Sequence, residues 1–401
     1  MNIKNSSQNP TYPTKLWYQP PCIFDFPFTV EVRDDWLTVG SGIGGASAAL
    51  TTAIGEYFER RHFYLDVTAN TTMTLERAVG AAEAEKFITA FDQTCASRST
   101  SLNLASHAFN MSNAIRISDC SACHVPTICI SLSYYGNDRD NNIYPSRDTC
   151  GCSFHSNYGS GFLGAVKETL ERQFLLRFWL TKKYQKILNH HEITSGATNS
   201  TSLKLYNLLL ANGELLLIDI SDDSFPGACI ISFYGNNKPN KNVRYCTGMS
   251  YAETKALAIE KSLYELWQTF RYMHLFAELN MTIDHISAPY LRHFMQCNNY
   301  QTFKETTSSG SVWNSQNSKK NTHPFDLNGL IQTLTDQDIE GYLYTAPIQI
   351  ENHNYVGCKF ISPSLFMHMD NSKHININNN YSARFSDLVD TTRLEKMVPF
   401  P

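Results

Sequence analysis

The sequence has neither a strong excess of one charge nor a long apolar run. Its 33 Lys and Arg residues are balanced by 37 Asp and Glu residues, so it offers no basic surface of the kind that nucleic acid or an anionic membrane requires. No segment approaches the roughly 18 consecutive apolar residues that span a bilayer, and the first residues lack the apolar segment of a signal peptide. These absences argue against nucleic-acid binding and membrane insertion, and we expect a soluble, cytoplasmic protein.

The 11 cysteines are an odd number, which fits a reducing compartment better than a disulfide framework. Two close pairs stand out, Cys120 with Cys123 and Cys150 with Cys152, and together they could form a zinc site, although the second spacing is uncommon for zinc. The first pair, followed by His124, also matches the spacing of c-type haem attachment, which would require export. We favour free thiols over either metal centre.

The most informative pattern is an acidic helix motif that occurs three times. Residues 51–62 place Glu56, Glu59 and Arg60 at positions i, i+3 and i+4, so all three project from one face of a predicted helix. The motif returns about 110 residues later and again, in a weaker form, beyond that. The later copies are Glu168, Glu171 and Arg172, followed by Glu265, Gln268 and Arg271.

Each acidic helix follows a predicted strand or a turn rich in Gly or Ser. Residues 28–32 are predicted to form a strand, and residues 40–45 a glycine-rich turn whose N–H groups could approach an anion. Residues 153–161 precede the second helix, and residues 245–250 precede the third. The repeat indicates an α+β fold with one main domain, residues 31–401, after an N-terminal arm, residues 1–30.

Carboxylates that converge in one cleft repel one another and require cations. Two arginines do not neutralise five glutamates, whereas Mg²⁺ would, because it prefers oxygen ligands and usually binds through a few carboxylates together with substrate phosphates. The pattern therefore favours a site for Mg-ATP, with the arginines on phosphate oxygens. The alternative is that each motif is a solvated helix face, which is the usual explanation for a single copy.

These motifs resemble the YcaO family. Residues 55–60, 168–172 and 265–268 are similar to the three ATP-binding motifs of that family. Four other segments resemble, more narrowly, the cyclodehydratase subunit of microcin-type azole synthetases; they are residues 144–155, 292–298, 375–380 and the ending M-V-P-F-P at 397–401. The resemblance covers residues 40–401 and implies a YcaO-type fold with an ATP cleft.

The resemblance implies an ATP-dependent peptide cyclodehydratase of antibiotic (bacteriocin or microcin) biosynthesis. In that family a Cys, Ser or Thr side chain of a ribosomally made precursor peptide adds to the preceding amide carbon. ATP phosphorylates the resulting oxyanion, and loss of phosphate leaves a thiazoline or oxazoline ring. By position, the resemblance assigns Mg²⁺ and ATP to Glu56, Glu59, Glu168, Glu171 and Glu265, further nucleotide contacts to Gln268, Arg60, Arg172 and Ser153, and the role of base to the carboxylate of Pro401.

Two positions depart from the family pattern. The segment Ser41-Gly42-Ile43 stands where the family often has Gly-Lys-Gly, so the usual lysine contact with the nucleotide is missing, and Thr52 replaces a serine while keeping the hydroxyl. The chain also lacks, as far as the resemblance indicates, a fused domain that binds the leader of the precursor peptide. We therefore expect a complex with a leader-binding subunit that resembles ubiquitin-activating enzymes and with a flavin-dependent azoline dehydrogenase.

Other functions remain open at this point. The same ATP chemistry with another nucleophile would give an amidine or a thioamide, and the sequence does not distinguish these because the nucleophile comes from the substrate. A non-catalytic scaffold that docks the precursor peptide is the alternative of another class. Retention of all three acidic motifs and the Pro-x-Pro ending argues against a scaffold, which has no need of clustered carboxylates.

Overall fold

The computed structural model describes residues 12–21, 26–35, 39–96, 103–196, 200–286, 289–308, 310–313 and 321–401. Within them the chain forms the mixture of helices and strands expected of an α+β protein. Part of the predicted N-terminal arm lies outside the described residues, and the described part contributes to two strands. No helix in the described ranges is long and apolar enough to cross a membrane.

The strands are numbered in chain order. They are β1 (Lys15–Gln19), β2 (Phe28–Arg33), β3 (Val39–Gly44), β4 (Thr71–Met73), β5 (Phe109–Arg116), β6 (Ala122–Pro126), β7 (Cys152–His155), β8 (Lys183–Tyr184), β9 (Lys186–Ile187), β10 (Glu214–Asp219), β11 (Ala228–Gly235), β12 (Tyr245–Ala252), β13 (Ser311–Val312), β14 (Tyr342–Ile350) and β15 (His353–Ile361).

The helices are numbered in the same way. They are α1 (Ala46–Leu65), α2 (Leu75–Val79), α3 (Ala81–Thr94), α4 (Tyr158–Thr181), α5 (His190–Gly196), α6 (Ser200–Asn212), α7 (Lys255–Glu278), α8 (Pro289–Gln296), α9 (Tyr300–Thr307), α10 (Leu327–Asp336) and α11 (Thr391–Leu394).

Three antiparallel sheets carry the three long helices. The first has the order β1-β2-β3, the second β12-β11-β10-β9, and the third β4-β5-β14-β15-β7 with β6 also paired to β5. Helix α1 packs on β2 and β3, helix α7 on β11 and β12, and helix α4 on β7 and β15. The predicted strand–helix unit is therefore present three times, as β3–α1, β7–α4 and β12–α7.

The prediction of a glycine-rich turn at residues 40–45 is wrong, because most of this segment is strand β3. A Cβ atom on Gly40 would overlap the carbonyl oxygen of Ala53, and one on Gly42 would overlap that of Ala49. The glycines thus allow the strand to lie directly against helix α1. Gly248 in β12 has the same role, because a Cβ there would overlap the backbone nitrogen of Leu266 in α7.

The largest hydrophobic core surrounds helices α4 and α7 and extends to the end of the chain. It includes the buried stripe of α4, with Val166, Leu170 and Phe174, and it reaches Val398 and Phe400 near the C-terminus. Because the same core fixes both helices and the C-terminal tail, the acidic faces of α4 and α7 have a defined position relative to the chain end.

Candidate active site

Three glutamates, one from each acidic helix, are held by backbone N–H groups of neighbouring strands. Glu56 accepts a hydrogen bond from the Ser41 amide at 2.6 Å, and Glu265 accepts one from the Met249 amide at 2.8 Å. Glu171 accepts one from the amide of Tyr251 in β12 at 2.6 Å. These bonds fix the carboxylates on the sheets, so the acidic faces are oriented before any ligand binds.

The acidic faces of the three helices converge, as the sequence predicts. Burial raises the pKa of Glu59 to about 8, assisted by the charge of Glu56. Burial also raises the pKa of Glu168 well above its usual value, and the nearby Glu59 and Glu171 raise it further against the opposing effect of Arg172. The Glu59–Glu168 interaction thus links helix α1 to helix α4.

Helix α7 joins the same cluster through Glu265. Burial raises the pKa of this carboxyl to about 8, and the charges of Glu171 and Glu56 act in the same direction. Glu265 therefore lies near an acidic residue of both other helices. Every predicted Glu, Gln and Arg site residue on these helices is half-buried, so each keeps part of its surface accessible to a ligand, and we call the space between the three helices the cleft; the residues are Glu56, Glu59, Arg60, Glu168, Glu171, Arg172, Glu265 and Gln268.

Both predicted arginines lie among the glutamates. Arg60 forms an ion pair with Glu56, and the charges of Glu56 and Glu59 raise the pKa of Arg60 although burial opposes the shift. Burial likewise opposes a rise in the pKa of Arg172, but Glu168 and Glu171 outweigh it. Both guanidinium groups are therefore permanent positive charges in the cleft.

Sequence reasoning missed a third cation, Lys359 in strand β15. Its ammonium group is buried and donates to the Asp148 carbonyl oxygen at 2.8 Å. Burial would lower the pKa of Lys359, but Cys152 and Asp148 outweigh that effect and raise it. Its charge also lowers the pKa of Glu59, so it belongs to the electrostatics of the cleft. The sequence did offer a signal, because this lysine stands among apolar residues near the end of the strand.

A sixth glutamate, Glu31, was also missed. It lies in β2 opposite Ser41, whose hydroxyl donates to its carboxylate, and only 6% of its surface is exposed. Burial raises the pKa of Glu31 to about 8, and Glu56 contributes in the same direction. An acidic residue in the middle of the segment F-T-V-E-V was the signal in the sequence.

The C-terminal tail, residues 396–401, is fixed against this cleft. Four of its carbonyl or amide groups are hydrogen-bonded by side chains from elsewhere in the fold. The pairs are Trp179 Nε1 with the Lys396 carbonyl at 2.9 Å, His293 Nε2 with the Met397 carbonyl at 3.1 Å, Asn371 Oδ1 with the Val398 amide at 2.9 Å, and the Tyr245 hydroxyl with the Pro399 carbonyl at 2.7 Å.

The tail ends beside one of the arginines of the cleft. The ring of Phe400 is buried, and the Arg172 guanidinium carbon lies 5.0 Å from its centroid. Such cation–π contacts are favourable, particularly where water is excluded. Pro401 follows directly and is half-buried. The structure therefore brings the end of the chain to the second acidic motif, supported by His293 from the segment 292–298 and by Asn371, which precedes the segment 375–380.

Ser153 lies in β7, the strand that precedes helix α4. Its side chain is buried, and its hydroxyl donates to the carbonyl of Gly161 in the first turn of α4. The hydroxyl thus has a partner within the protein, and its contact with a nucleotide stays a prediction.

The cysteine pairs differ in their surroundings. Cys120 is exposed in the turn between β5 and β6, whereas Cys123 is buried in β6, where burial raises its pKa to about 11. Cys150 and Cys152 are buried as well. In the part of the chain that the structure describes, no group of three or more His, Cys, Asp and Glu side chains is arranged to hold a metal ion alone.

Converging glutamates and permanently charged arginines are the groups with which proteins bind a nucleoside phosphate together with Mg²⁺, so this arrangement is typical of a nucleotide-dependent enzyme. The chain belongs to the YcaO family, because residues 41–365 match the family model described as YcaO cyclodehydratase, ATP- and Mg²⁺-binding. It is an ATP-dependent cyclodehydratase of the YcaO type.

Known proteins resemble the chain over nearly its whole length. It is 31% identical to the microcin B17-processing protein McbD of Escherichia coli over 396 residues, which cover 97% of each chain. It also matches a chain of the solved E. coli microcin synthetase McbBCD complex with a TM-score of 0.87 and 30% identity, covering 99% of both chains.

A more distant solved structure shares the fold alone. The YcaO protein of Methanopyrus kandleri, bound with AMPPCP and Mg²⁺, matches with a TM-score of 0.55 and 9% identity over 89% of this chain and 86% of that one. The fold is therefore shared with a YcaO protein of very different sequence.

Proposed function

We propose that this chain uses ATP to convert Cys, Ser or Thr residues of a ribosomally made precursor peptide into thiazoline or oxazoline rings, as a step in making an azole-modified antibiotic peptide. The observation that carries the proposal is the meeting of the acidic cleft and the docked C-terminal tail at Arg172. This contact supports a nucleotide site close to the terminal carboxylate of Pro401.

The donor set fits Mg²⁺ together with ATP. The glutamates are buried close together, and burial, assisted by the neighbouring carboxylates, raises the pKa of Glu59 and of Glu265; a cation would favour their ionised forms. Since no three of the described side chains hold a metal alone, phosphate oxygens would complete its coordination, which is the usual way in which proteins bind Mg²⁺. The residues proposed to hold it are Glu56, Glu59, Glu168, Glu171 and Glu265.

Mg²⁺, when bound, would neutralise phosphate charge during transfer. The chain's own contribution is to position groups and to exclude water, which is most of what phosphoryl transfer requires. Arg60 and Arg172 would contact the phosphate oxygens, while Gln268 and Ser153 would contact the nucleotide. A bound peptide would cover the half-buried cleft and exclude water from the γ-phosphate.

The carboxylate of Pro401 is proposed as the base. It would remove the proton from the Cys, Ser or Thr side chain as this side chain adds to the preceding amide carbon. The amide oxygen then takes the γ-phosphoryl group from ATP, giving ADP. Loss of inorganic phosphate from the ring carbon and of the proton from the former amide nitrogen forms the C=N bond of the azoline. The two protons of the lost water thus come from the side chain and the amide nitrogen, and its oxygen leaves in the phosphate.

We further propose that the chain works in a cytoplasmic complex. The solved E. coli relative is part of the McbBCD microcin synthetase, which has also been solved with pro-MccB17 bound. By analogy, the partners here would be a leader-binding subunit resembling ubiquitin-activating enzymes and a flavin-dependent azoline dehydrogenase. No disulfide joins the ten cysteines within the described residues, in keeping with a reducing compartment.

Calorimetric titration of Mg-ATP into the purified complex tests the nucleotide site. We expect Glu59→Gln and Glu171→Gln each to weaken binding by about tenfold or more, the equivalent of about 1.4 kcal/mol. Unchanged affinity in both variants would contradict the assignment. No nucleotide binding by the wild-type complex would instead favour the scaffold function.

A further inference from the structure

The hydroxyl group of Tyr290 lies buried beside the active site without a hydrogen-bond partner among the described residues. Buried polar groups nearly always have a partner in native proteins, so each exception requires an explanation. The ring of Tyr290 packs against the largest core, which holds the side chain in place. The unpaired hydroxyl is therefore a fixed feature of this position.

Helix α8 presents Tyr290 to the reaction centre that the proposed function defines. Tyr290 and His293 stand three residues apart, so they share one face of the helix, and His293 binds the Met397 carbonyl of the tail. The phenol is close enough to Arg172 for each group to shift the pKa of the other. It also lies near Tyr245, which binds the Pro399 carbonyl.

Two carboxylates, Asp148 and Asp370, lie near Tyr290, but both accept hydrogen bonds from other groups. The oxygens of Asp148 accept from the Cys150 amide at 3.0 Å and the Met369 amide at 2.6 Å. Asp370 accepts from the amide and the hydroxyl of Ser372. Burial and both carboxylates raise the pKa of Tyr290, so its hydroxyl keeps its proton and is available as a donor.

We propose that Tyr290 is a further catalytic residue, whose hydroxyl donates a hydrogen bond to an anionic oxygen at the reaction centre beside Arg172. This inference rests on the proposed function. The oxygen belongs to the transferring phosphoryl group or to the peptide amide that receives it, and both carry negative charge when the phosphoryl group moves. A fixed donor directed at such an oxygen stabilises the transition state.

The test compares Tyr290→Phe with wild type in the assembled complex with precursor peptide, Mg²⁺ and ATP. We expect the rate of ring formation to fall about 100-fold, as for loss of one donor to a developing oxyanion. The melting temperature should be unchanged or higher, because the variant removes a donor that has no partner.

Tyr342→Phe is the matched control. The hydroxyl of Tyr342 donates to Glu83 at 3.1 Å in a separate core, away from the acidic cleft. This variant should lower the melting temperature and leave the rate of ring formation by folded protein within about twofold of wild type. A structural role for the Tyr290 hydroxyl would instead make the two variants behave alike.

Binding of the non-hydrolysable analogue AMPPCP with Mg²⁺ shows which oxygen accepts the hydrogen bond from Tyr290. Weaker binding by Tyr290→Phe assigns the partner to the phosphoryl group, whereas unchanged binding with slower ring formation assigns it to the peptide amide. A variant that forms rings within twofold of the wild-type rate overturns the inference and leaves the proposed function intact. A wild-type complex that binds nucleotide and peptide but forms no ring overturns both.

Discussion

Glu265 combines two roles that a substitution can separate. Its carboxylate accepts from the Met249 amide, and its charge contributes to the repulsion in the cleft. In Glu265→Gln the amide oxygen can still accept the backbone hydrogen bond, but the charge is lost. Above about pH 8, where the Glu265 carboxyl is ionised, we expect a higher melting temperature in the absence of ligands, because like charges close together destabilise the fold.

The same variant should lose most of the stabilisation that Mg-ATP gives to wild type, since a ligand stabilises only as far as it binds. Thermal melts with and without Mg-ATP measure both effects. Glu85→Gln is the control, because Glu85 is exposed on α3, away from the acidic helices, and it should change neither value. An equal Mg-ATP shift in Glu265→Gln and wild type would show that Glu265 does not hold the nucleotide or its metal.

At the level of helices and strands, the close packing of each acidic helix on its strand positions the glutamates. Gly248→Ala would push a methyl group into the backbone of α7 at Leu266, next to Glu265. We expect a loss of about 2–3 kcal/mol in the free energy of unfolding, as for overpacking in a well-packed core. Nucleotide affinity should also fall, because the helix must move away from the strand.

Gly45→Ala is the matched control for this variant. Gly45 precedes α1, a Cβ atom there meets no neighbour within 4 Å, and its φ of −62° suits any residue. Chemical denaturation of both variants measures the difference. Equal stability of Gly248→Ala and wild type would contradict the packing described for the β12–α7 unit.

The C-terminal tail behaves as a structural element although it is neither helix nor strand. Asn371 is buried, accepts from the Val398 amide and donates to the carbonyls of Arg393 and Lys396. Asn371→Ala removes all three bonds and leaves the buried Val398 amide without a partner, whereas the Lys396 carbonyl keeps its bond from Trp179 Nε1. We expect the change to cost about 2 kcal/mol of stability.

Release of the tail should slow ring formation much more than it weakens ATP binding, because the proposed base is on the tail and the glutamates are not. Ring formation and Mg-ATP affinity, measured on one preparation, separate the two effects. Asn380→Ala, which removes only exposed hydrogen bonds to Asp338, serves as the control. Parallel losses of both properties in Asn371→Ala would indicate a general structural defect.

At the scale of the whole molecule, the acidic cluster makes stability depend on pH. The folded-state pKa values of Glu31, Glu59 and Glu265 are about 8, above the usual value of 4.5. The folded state therefore binds more protons than the unfolded state between these pH values, and their stabilising contribution, complete below about pH 4.5, is lost as pH rises through 8.

We expect the melting temperature of the ligand-free protein to fall from pH 6 to pH 8.5, and Mg-ATP to stabilise it more at the higher pH, where the carboxylates are ionised. Thermal melts over this range measure both trends. A ligand-free protein that becomes more stable as the pH rises would contradict the account of the cluster.

The sequence predicted the three acidic helices, because the spacing of Glu56, Glu59 and Arg60 is a local property of a helix. It did not predict Lys359 or Glu31, whose strands give no such pattern. Lys359 reaches the cleft because β15 pairs with β7, and Glu31 because β2 pairs with β3. The role of Gly40 was missed for the same reason. In the sequence, a glycine that forms a turn cannot be distinguished from one that lets a helix pack on a strand.

The central claim is that ATP-coupled ring formation takes place where the acidic cleft meets the C-terminal tail. Its most direct test is mass spectrometry of the precursor peptide, with ADP measured in parallel, after incubation with the complex containing wild type or a chain lacking Pro401. We predict one water lost per ring with stoichiometric ADP for wild type, and retained Mg-ATP binding without ring formation for the deletion. Ring formation at the wild-type rate without Pro401 would contradict the account.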